Sequence, residues 1–323
     1  MTDLETARRT WIAERPLFEQ FGKVLERRLQ EGVRRLGIPA DVTSRAKEID
    51  SLVKKLILKP KHDYQSLPDK VGVRIICKYR SDEERILRFV SQNFDHNQPD
   101  DKADERGQSE VGYLSVHLDN TRLKIDDQQA VEFPPVRFFA EVQLRTQAQH
   151  LWAEMSHDDV YKNDETAREL ASELKRRIHL MAGQIEVADR EFDRINEQIG
   201  KDAAYSVLKA LERNYFRLTA RRPNPELSLI VIKLLLRRFG GIPIPEVIQQ
   251  IENTFHQNES FLEQIYQDPD KANNPSAFFF QPEALMIFDR LIDDRVETLK
   301  VWNEEFPPKE LDRVANTFGI SLD

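Results

Sequence analysis

Phe139-Ala140-Glu141-Val142-Gln143-Leu144-Arg145-Thr146 alternates apolar and polar residues with a period of two. That period is the mark of a half-buried strand. Ala140, Val142 and Leu144 fall on one face, and Glu141, Gln143 and Arg145 on the other. A carboxylate, an amide and a guanidinium in line on one face are suited to hold a metal and a polyphosphate. The same pattern also fits a strand whose polar face is simply wet. A second segment, Gly112-Tyr113-Leu114-Ser115-Val116-His117-Leu118, alternates likewise and sets Tyr113, Ser115 and His117 on one face. A third, Val71-Gly72-Val73-Arg74-Ile75-Ile76, reads as a buried strand with Asp69 just before it.

Upstream lie Ser44-Arg45-Ala46-Lys47 and Ser51-Leu52-Val53-Lys54-Lys55. Three candidate strands and a basic segment thus supply two acids, several bases and an aromatic ring. Those are the parts of a Mg²⁺-dependent phosphoryl or pyrophosphoryl transfer: metal ligands, cations for phosphates, and a flat surface for a base.

The order Arg45-x-Lys47, Ser51-x-x-Lys54-Lys55, Asp69-x-x-Gly72-x-Arg74, Gly112-Tyr113-x-Ser115-x-His117, Glu141-x-Gln143-x-Arg145-Thr146 resembles the synthetase domain of the RelA/SpoT family. Members of that family make the alarmones pppGpp and ppGpp. The continuation Gln149-His150-x-Trp152-Ala153-Glu154-x-x-His157-Asp158-x-x-Tyr161-Lys162 resembles the helix that follows in single-domain and atypical members. The resemblance implies an α/β, nucleotidyltransferase-like mixed sheet flanked by helices. It implies that Asp69 and Glu141 hold Mg²⁺, with Glu141 also positioning or deprotonating an attacking 3′-hydroxyl. Arg45, Lys47, Lys54, Lys55 and Arg74 become ligands of the donor triphosphate. Lys54 and Lys55 point different ways on a helix, so one of the two is expected to reach the site. Arg74 sits among apolar residues and needs an anionic partner nearby. Tyr113 matches the residue that stacks on the acceptor guanine, and Ser115, His117, Gln143 and Arg145 belong to the same acceptor wall.

The implied reaction moves the β,γ-pyrophosphate of ATP onto the 3′-hydroxyl of GDP or GTP. One departure bears on the acceptor. Family members carry a basic residue just before Gly-Tyr, whereas this chain has Gln108-Ser109-Glu110-Val111, and Arg106 is not equivalent. A toxin-type member acting on the 3′ end of tRNA or on another adenosine nucleotide is the alternative within the family. A non-catalytic alarmone-binding or partner-binding module is the alternative outside catalysis. The His62-Asp63 and His157-Asp158 pairs read as incidental rather than as the hydrolase site of bifunctional members.

The chain has 323 residues, a formal net charge of −8, 32% charged and 40% hydrophobic residues. This suits a globular chain and argues against indiscriminate nucleic-acid binding. The single cysteine, Cys77, excludes an internal disulfide, suits a reducing cytoplasm and reads as core. The N-terminus lacks the apolar run of a signal peptide, and the apolar run Leu227–Leu236 is too short to span a membrane. Residues 95–110 hold six acids against two bases and read as a loop.

The periodicity predicts helices over 4–37, with Pro16 splitting or kinking the first, and over 47–58. A further helix starts at Ser81, where Ser81 and Glu84 have capping-box spacing. Strands are expected at 42–45, 71–79, 112–118, 121–125 and 137–145, then a helix over 147–157. Residues 165–200 carry apolar positions at steps of three and four, one long helix read as packing across the catalytic region, with pairing to another helix as the alternative. The division expected is a helical segment at 1–40, a synthetase region at 41–165, a supporting helix at 166–200 and a helical accessory domain at 203–323. Phe278-Phe279-Phe280 reads as core of that domain, with an aromatic partner-binding patch as the alternative; the domain offers no catalytic constellation and is expected to regulate, to form a homo-oligomer or to bind an antitoxin.

Overall fold

A computed structural model describes residues 4–58, 63–97, 100–101, 115–159, 168–222, 224–237, 242–271 and 276–322. The chain forms two compact units, Met1–Val33 with Ala40–Asp193, and Arg34–Pro39 with Arg194–Asp323.

The first unit is built on five strands: β1 (Asp41–Ala46), β2 (Val71–Cys77), β3 (Asp100–Asp101), β4 (Val116–Thr121) and β5 (Ala140–Thr146). Their order is β1-β2-β5-β4-β3. The β2–β5 pair is parallel and the other pairs are antiparallel, so the sheet is mixed as expected. Val71, Val73, Ile75 and Cys77 are buried, as are Ala140, Val142 and Leu144. The alternation read from the sequence is the alternation of burial as far as Leu144, beyond which Arg145 and Thr146 are buried as well.

Helix α1 (Leu4–Arg35) covers the apolar side. Pro16 neither splits nor ends it. The proline removes one backbone donor, but Trp11, Phe18, Phe21, Leu25 and Leu29 make one buried stripe on both sides of it. Tertiary packing, rather than local propensity, holds the helix. The rings of Phe18 and Phe21 meet that of Phe138 at centroid distances of 4.9 and 5.5 Å. At Gly32 an added Cβ would fall 1.9 Å from the Phe89 ring, so only glycine permits that approach of α1 to α3 (Arg80–Asn93).

Helix α2 (Ile49–Leu58) follows β1, and α4 (Gln147–Asp159) follows β5 without a gap. The junction is a capping box: the Thr146 amide donates to Gln149 Oε1 at 3.0 Å and the Gln149 amide donates to Thr146 Oγ1 at 3.1 Å. Thr146 Oγ1 also donates to Asp189 on α5 (Arg168–Ile199) at 2.7 Å. The capping box expected at Ser81 and Glu84 is absent. Tyr79 is the N-cap of α3 without a side-chain bond, and Ser81 donates instead to Asp193 of α5 at 2.9 Å.

Two further expectations are corrected. No separate strand forms over 121–125, and Thr121 is the last residue of β4. Asn120 takes a left-handed φ of 54°, the β4–β5 register shifts between Leu118 and Thr121, and Arg122 keeps only a bridge to Asp95. A left-handed residue turns the chain out of the extended path. Helix α5 does form over the heptad-like stretch, but only part of its described apolar stripe packs: Ile185 lies against Trp152, Ala153 and Ala182. Ala182 and Asp189 are buried, while Met181, Phe192, Ile195 and Ile199 are exposed.

Among the described residues the second unit contains six further helices: α6 (Ala203–Thr219), α7 (Pro225–Leu236), α8 (Ile244–Gln267), α9 (Glu283–Asp293), α10 (Arg295–Trp302) and α11 (Pro308–Thr317). Asp202, Asn224 and Asp294 cap three of them through their side chains. Phe278 and Phe279 are buried, and Phe280 packs against the same core. Among the described residues no helix is long and apolar enough to cross a membrane.

Candidate functional site

The polar side of the sheet carries its functional side chains in ranks across the strands. Arg45, Gly72 and Glu141 are in register on β1, β2 and β5. Thr43, Arg74, Gln143 and His117 form the next rank. Gly72 has nothing within 4 Å of the place a Cβ would occupy. The floor beside Glu141 is therefore open.

Asp69 lies in the turn before β2, two residues short of the strand, and not on a strand beside Glu141. Its Oδ2 accepts hydrogen bonds from both Lys47 and Lys55. Its side chain is 12% exposed, and Oδ1 is buried with no hydrogen-bond partner among the described residues. Burial pushes the Asp69 pKa up, but the two ammonium groups outweigh it and hold the carboxyl below its ordinary range. At neutral pH Asp69 is ionised.

Glu141 is held differently. His117 Nδ1 donates to Glu141 Oε1 at 2.8 Å. Burial again raises the carboxyl's pKa, and the hydrogen bond and charge of His117 outweigh it, so the net direction is down. Asp69 pushes the same pKa up and Lys55 pulls it down, which puts the two carboxylates in one electrostatic neighbourhood. Two ionised carboxylates, one with an unused buried oxygen, fit a divalent cation that takes a few carboxylates and completes its shell with phosphate and water. No group of three or more metal-ligating side chains occurs among the described residues.

Helix α4 closes over the same face. Arg74 Nη1 donates to Glu154 Oε1 at 3.2 Å, which supplies the anion that Arg74 required. His150 Nε2 lies 3.5 Å from the same oxygen. Burial, opposed by Glu154 and reinforced by Arg74 and Arg145, lowers the His150 pKa. Arg145 is buried, donating from Nη2 to Gln143 Oε1 at 2.7 Å and from Nε to Ser115 Oγ at 3.3 Å. Arg145 thus ties Ser115 and Gln143 together, and all three are among the residues expected at the acceptor side.

Lys54 is not brought to Asp69. It lines a shallow depression with Arg8, Asp50 and Ile57, because neighbours on a helix point about 100° apart. Arg45 is exposed and lines a groove along the β1 edge with Arg15, Lys23 and Arg27 of α1. Tyr113, Arg106, His157 and Lys162 lie where the structure describes no side chains. Three features escaped the sequence reading: the His117–Glu141 bond, Glu154 as the partner of Arg74, and the Thr146–Gln149 box. The box had a sequence signal in Thr-x-x-Gln. The other two pairs are long-range and had none.

Residues 44–166 match the family model described as a region found in RelA / SpoT proteins. The GTP pyrophosphokinase YwaC of Bacillus subtilis is 32% identical over 138 residues, which cover 41% of this chain and 63% of that protein. The GTP pyrophosphokinase YjbM of the same organism is 26% identical over 166 residues, covering 47% of this chain and 76% of the relative. The match thus spans less than two thirds of YwaC. The crystal structure of small alarmone synthetase 1 from Bacillus subtilis aligns with 60% of this chain and 99% of its own, at 22% identity and a TM-score of 0.47. Residues 44–166 thus match the model of the family that the motifs resemble.

Proposed function

We propose that this chain is a pyrophosphokinase that moves the β,γ-pyrophosphate of ATP onto the 3′-hydroxyl of GDP or GTP. One observation carries the reading. Asp69, held by Lys47 and Lys55, and Glu141, held by His117, share an open polar site within the RelA/SpoT region. The similarity to two GTP pyrophosphokinases supports the reaction class.

In this reading Lys47 and Lys55 are the cations that meet the donor phosphates. Arg74, beside Glu154, adds a planar cation suited to phosphate or to a base face. The 3′-oxygen of the acceptor bonds to the β-phosphorus of ATP, the bond from that phosphorus to the α–β bridging oxygen breaks, and AMP leaves. Glu141 is ionised at neutral pH and takes the hydroxyl proton. His117 fixes the orientation of its carboxylate. Asp69 and Glu141 would hold Mg²⁺, whose chemistry is to neutralise charge on the transferred phosphates. The bonds among Ser115, Gln143 and Arg145 make a stiff wall for the acceptor, with Tyr113 stacking on its base. Catalysis then rests on positioning and charge.

The test is direct. Purified protein with Mg²⁺ and γ-labelled ATP is offered GDP, GTP, ATP or tRNA in turn. Label on GDP or GTP is the expected result. Label on tRNA or on an adenosine nucleotide alone would replace the acceptor, and no labelled product would overturn the reading.

A further inference from the structure

Lys70 is the neighbour of Asp69 and takes no part in the chemistry above. It is 2% exposed. Its Nζ lies 4.2 Å from the centroid of the Tyr64 ring and 5.2 Å from that of Phe18. Tyr64 donates its hydroxyl to Glu14 Oε2 at 2.7 Å, and Arg137 donates to Glu14 Oε1 at 2.9 Å. The Phe18 ring packs in turn on Trp11 and Phe138. The ammonium is thus buried between two aromatic faces that are tied to α1 and to the segment entering β5.

A buried ammonium is costly, and an apolar chain of similar volume would fill the space without that cost. What the charge adds is direction, an attraction to two ring faces. The backbone shows what that direction serves. The Lys47 amide donates to the Lys70 carbonyl at 2.9 Å. Trp11 Nε1 donates to the Lys47 carbonyl at 3.1 Å. Lys47 is therefore pinned on both sides, by the backbone of Lys70 and by the ring that packs on Phe18. Asp69 precedes Lys70 directly, and Lys47 and Asp69 are the ion pair of the site.

We infer that Lys70 is a positioning residue, whose side chain anchors the turn that holds Asp69 and Lys47 in register for the donor. The inference rests on the proposed transfer reaction for its kinetic test but not for its structural one.

The variants are Lys70→Met and Lys70→Arg. Lys70→Met keeps the volume and removes the cation, and the variant is expected to melt close to the wild-type temperature. Hydrogen exchange at the Lys47 amide should then accelerate about tenfold or more through local opening. The turnover number should fall about 10- to 100-fold, because misplacement of this order costs about two decades in rate, with KM for ATP changed much less. Lys70→Arg keeps a cation over the rings and should recover part of both losses. Should Lys70→Met fail to fold, Phe18→Leu, which removes one ring, is read for the same two changes. Unaltered Lys47 exchange together with unaltered turnover in a folded variant would overturn the inference. If wild type makes no product on any acceptor, the proposed function fails, and Lys47 exchange alone decides the role of Lys70.

Discussion

Asp69→Asn removes one charge and leaves the side-chain shape intact. In the native protein two ammonium groups converge on one carboxylate oxygen. Each hydrogen bond to a charged group contributes about 1.5–3 kcal/mol net, so the pair could contribute about 3–6 kcal/mol. The lysine side chains are 19% and 23% exposed and can turn toward water, so the loss is smaller. We expect about 2–3 kcal/mol, partly from two cations left facing a neutral amide. For a unit of this size that lowers the melting point by about 5–10 °C. Asp69 has a depressed pKa in the folded state. Its contribution is therefore complete above the unfolded value of about 3.9 and is lost as pH falls through the folded one. Urea unfolding of wild type and variant at a series of pH values should show a gap at pH 7 that narrows in acid. The variant should also lose transfer activity. Equal stability at pH 7, or a gap that stays constant into acid, would refute the assignment of Asp69 as the hub of this charge cluster.

Other outcomes follow from neighbouring residues. Glu141→Gln keeps the oxygen that accepts from His117 but cannot take a proton, so transfer should fall by about 10²–10⁴ with the fold unchanged, as rate assays and circular dichroism will show. An added Cβ at Gly72 meets no neighbour and valine suits a strand, so Gly72→Val should fold about as well as wild type while its side chain occupies the floor beside Glu141; normal activity with normal ligand affinity would contradict an open floor there. In the second unit, burial raises Glu283 to about 7 against a softening bond from Ser228. An acid raised in the folded state costs stability as pH climbs from the unfolded value toward the folded one, about 3 kcal/mol in full. Glu283→Gln should therefore stabilise the protein at pH 8 and do little at pH 5, as thermal melts at the two pH values will tell.

The strands of the site were legible because alternation is local. Val71, Val73, Ala140, Val142 and Leu144 announce one buried face, and Glu141, Gln143 and Arg145 announce the other. The order of the strands was not legible, because pairing joins residues about 70 apart, as in Gly72 with Glu141. The same holds for His117 with Glu141 and Arg74 with Glu154. Local signals also misled where tertiary contacts outbid them. Ser81 had the spacing of a cap, but Asp193 on α5 took its hydroxyl. Pro16 reads as a breaker, but the aromatic stripe holds α1 through it. The stripe on α5 is periodic and yet exposed at Phe192, Ile195 and Ile199, because periodicity marks an apolar face and cannot say how much of it a partner covers.

The charge balance at Asp69 also dictates how the donor should bind. With no ligand, Lys47 and Lys55 neutralise a carboxylate that is almost buried. A triphosphate draws those ammonium groups toward itself and leaves the carboxylate without a counter-charge. Breaking a buried pair in that way is costly unless another cation takes the vacated position. The unused Oδ1 of Asp69 offers that cation a ligand atom. A non-hydrolysable ATP analogue should therefore bind this protein much more tightly with Mg²⁺ than with chelator. In Asp69→Asn there is no carboxylate to leave unpaired, so the Mg²⁺ dependence should shrink to what the nucleotide itself contributes. Calorimetric titration of both proteins, with and without Mg²⁺, separates the two cases. Equal Mg²⁺ dependence in wild type and variant would show that the lysines do not exchange Asp69 for phosphate.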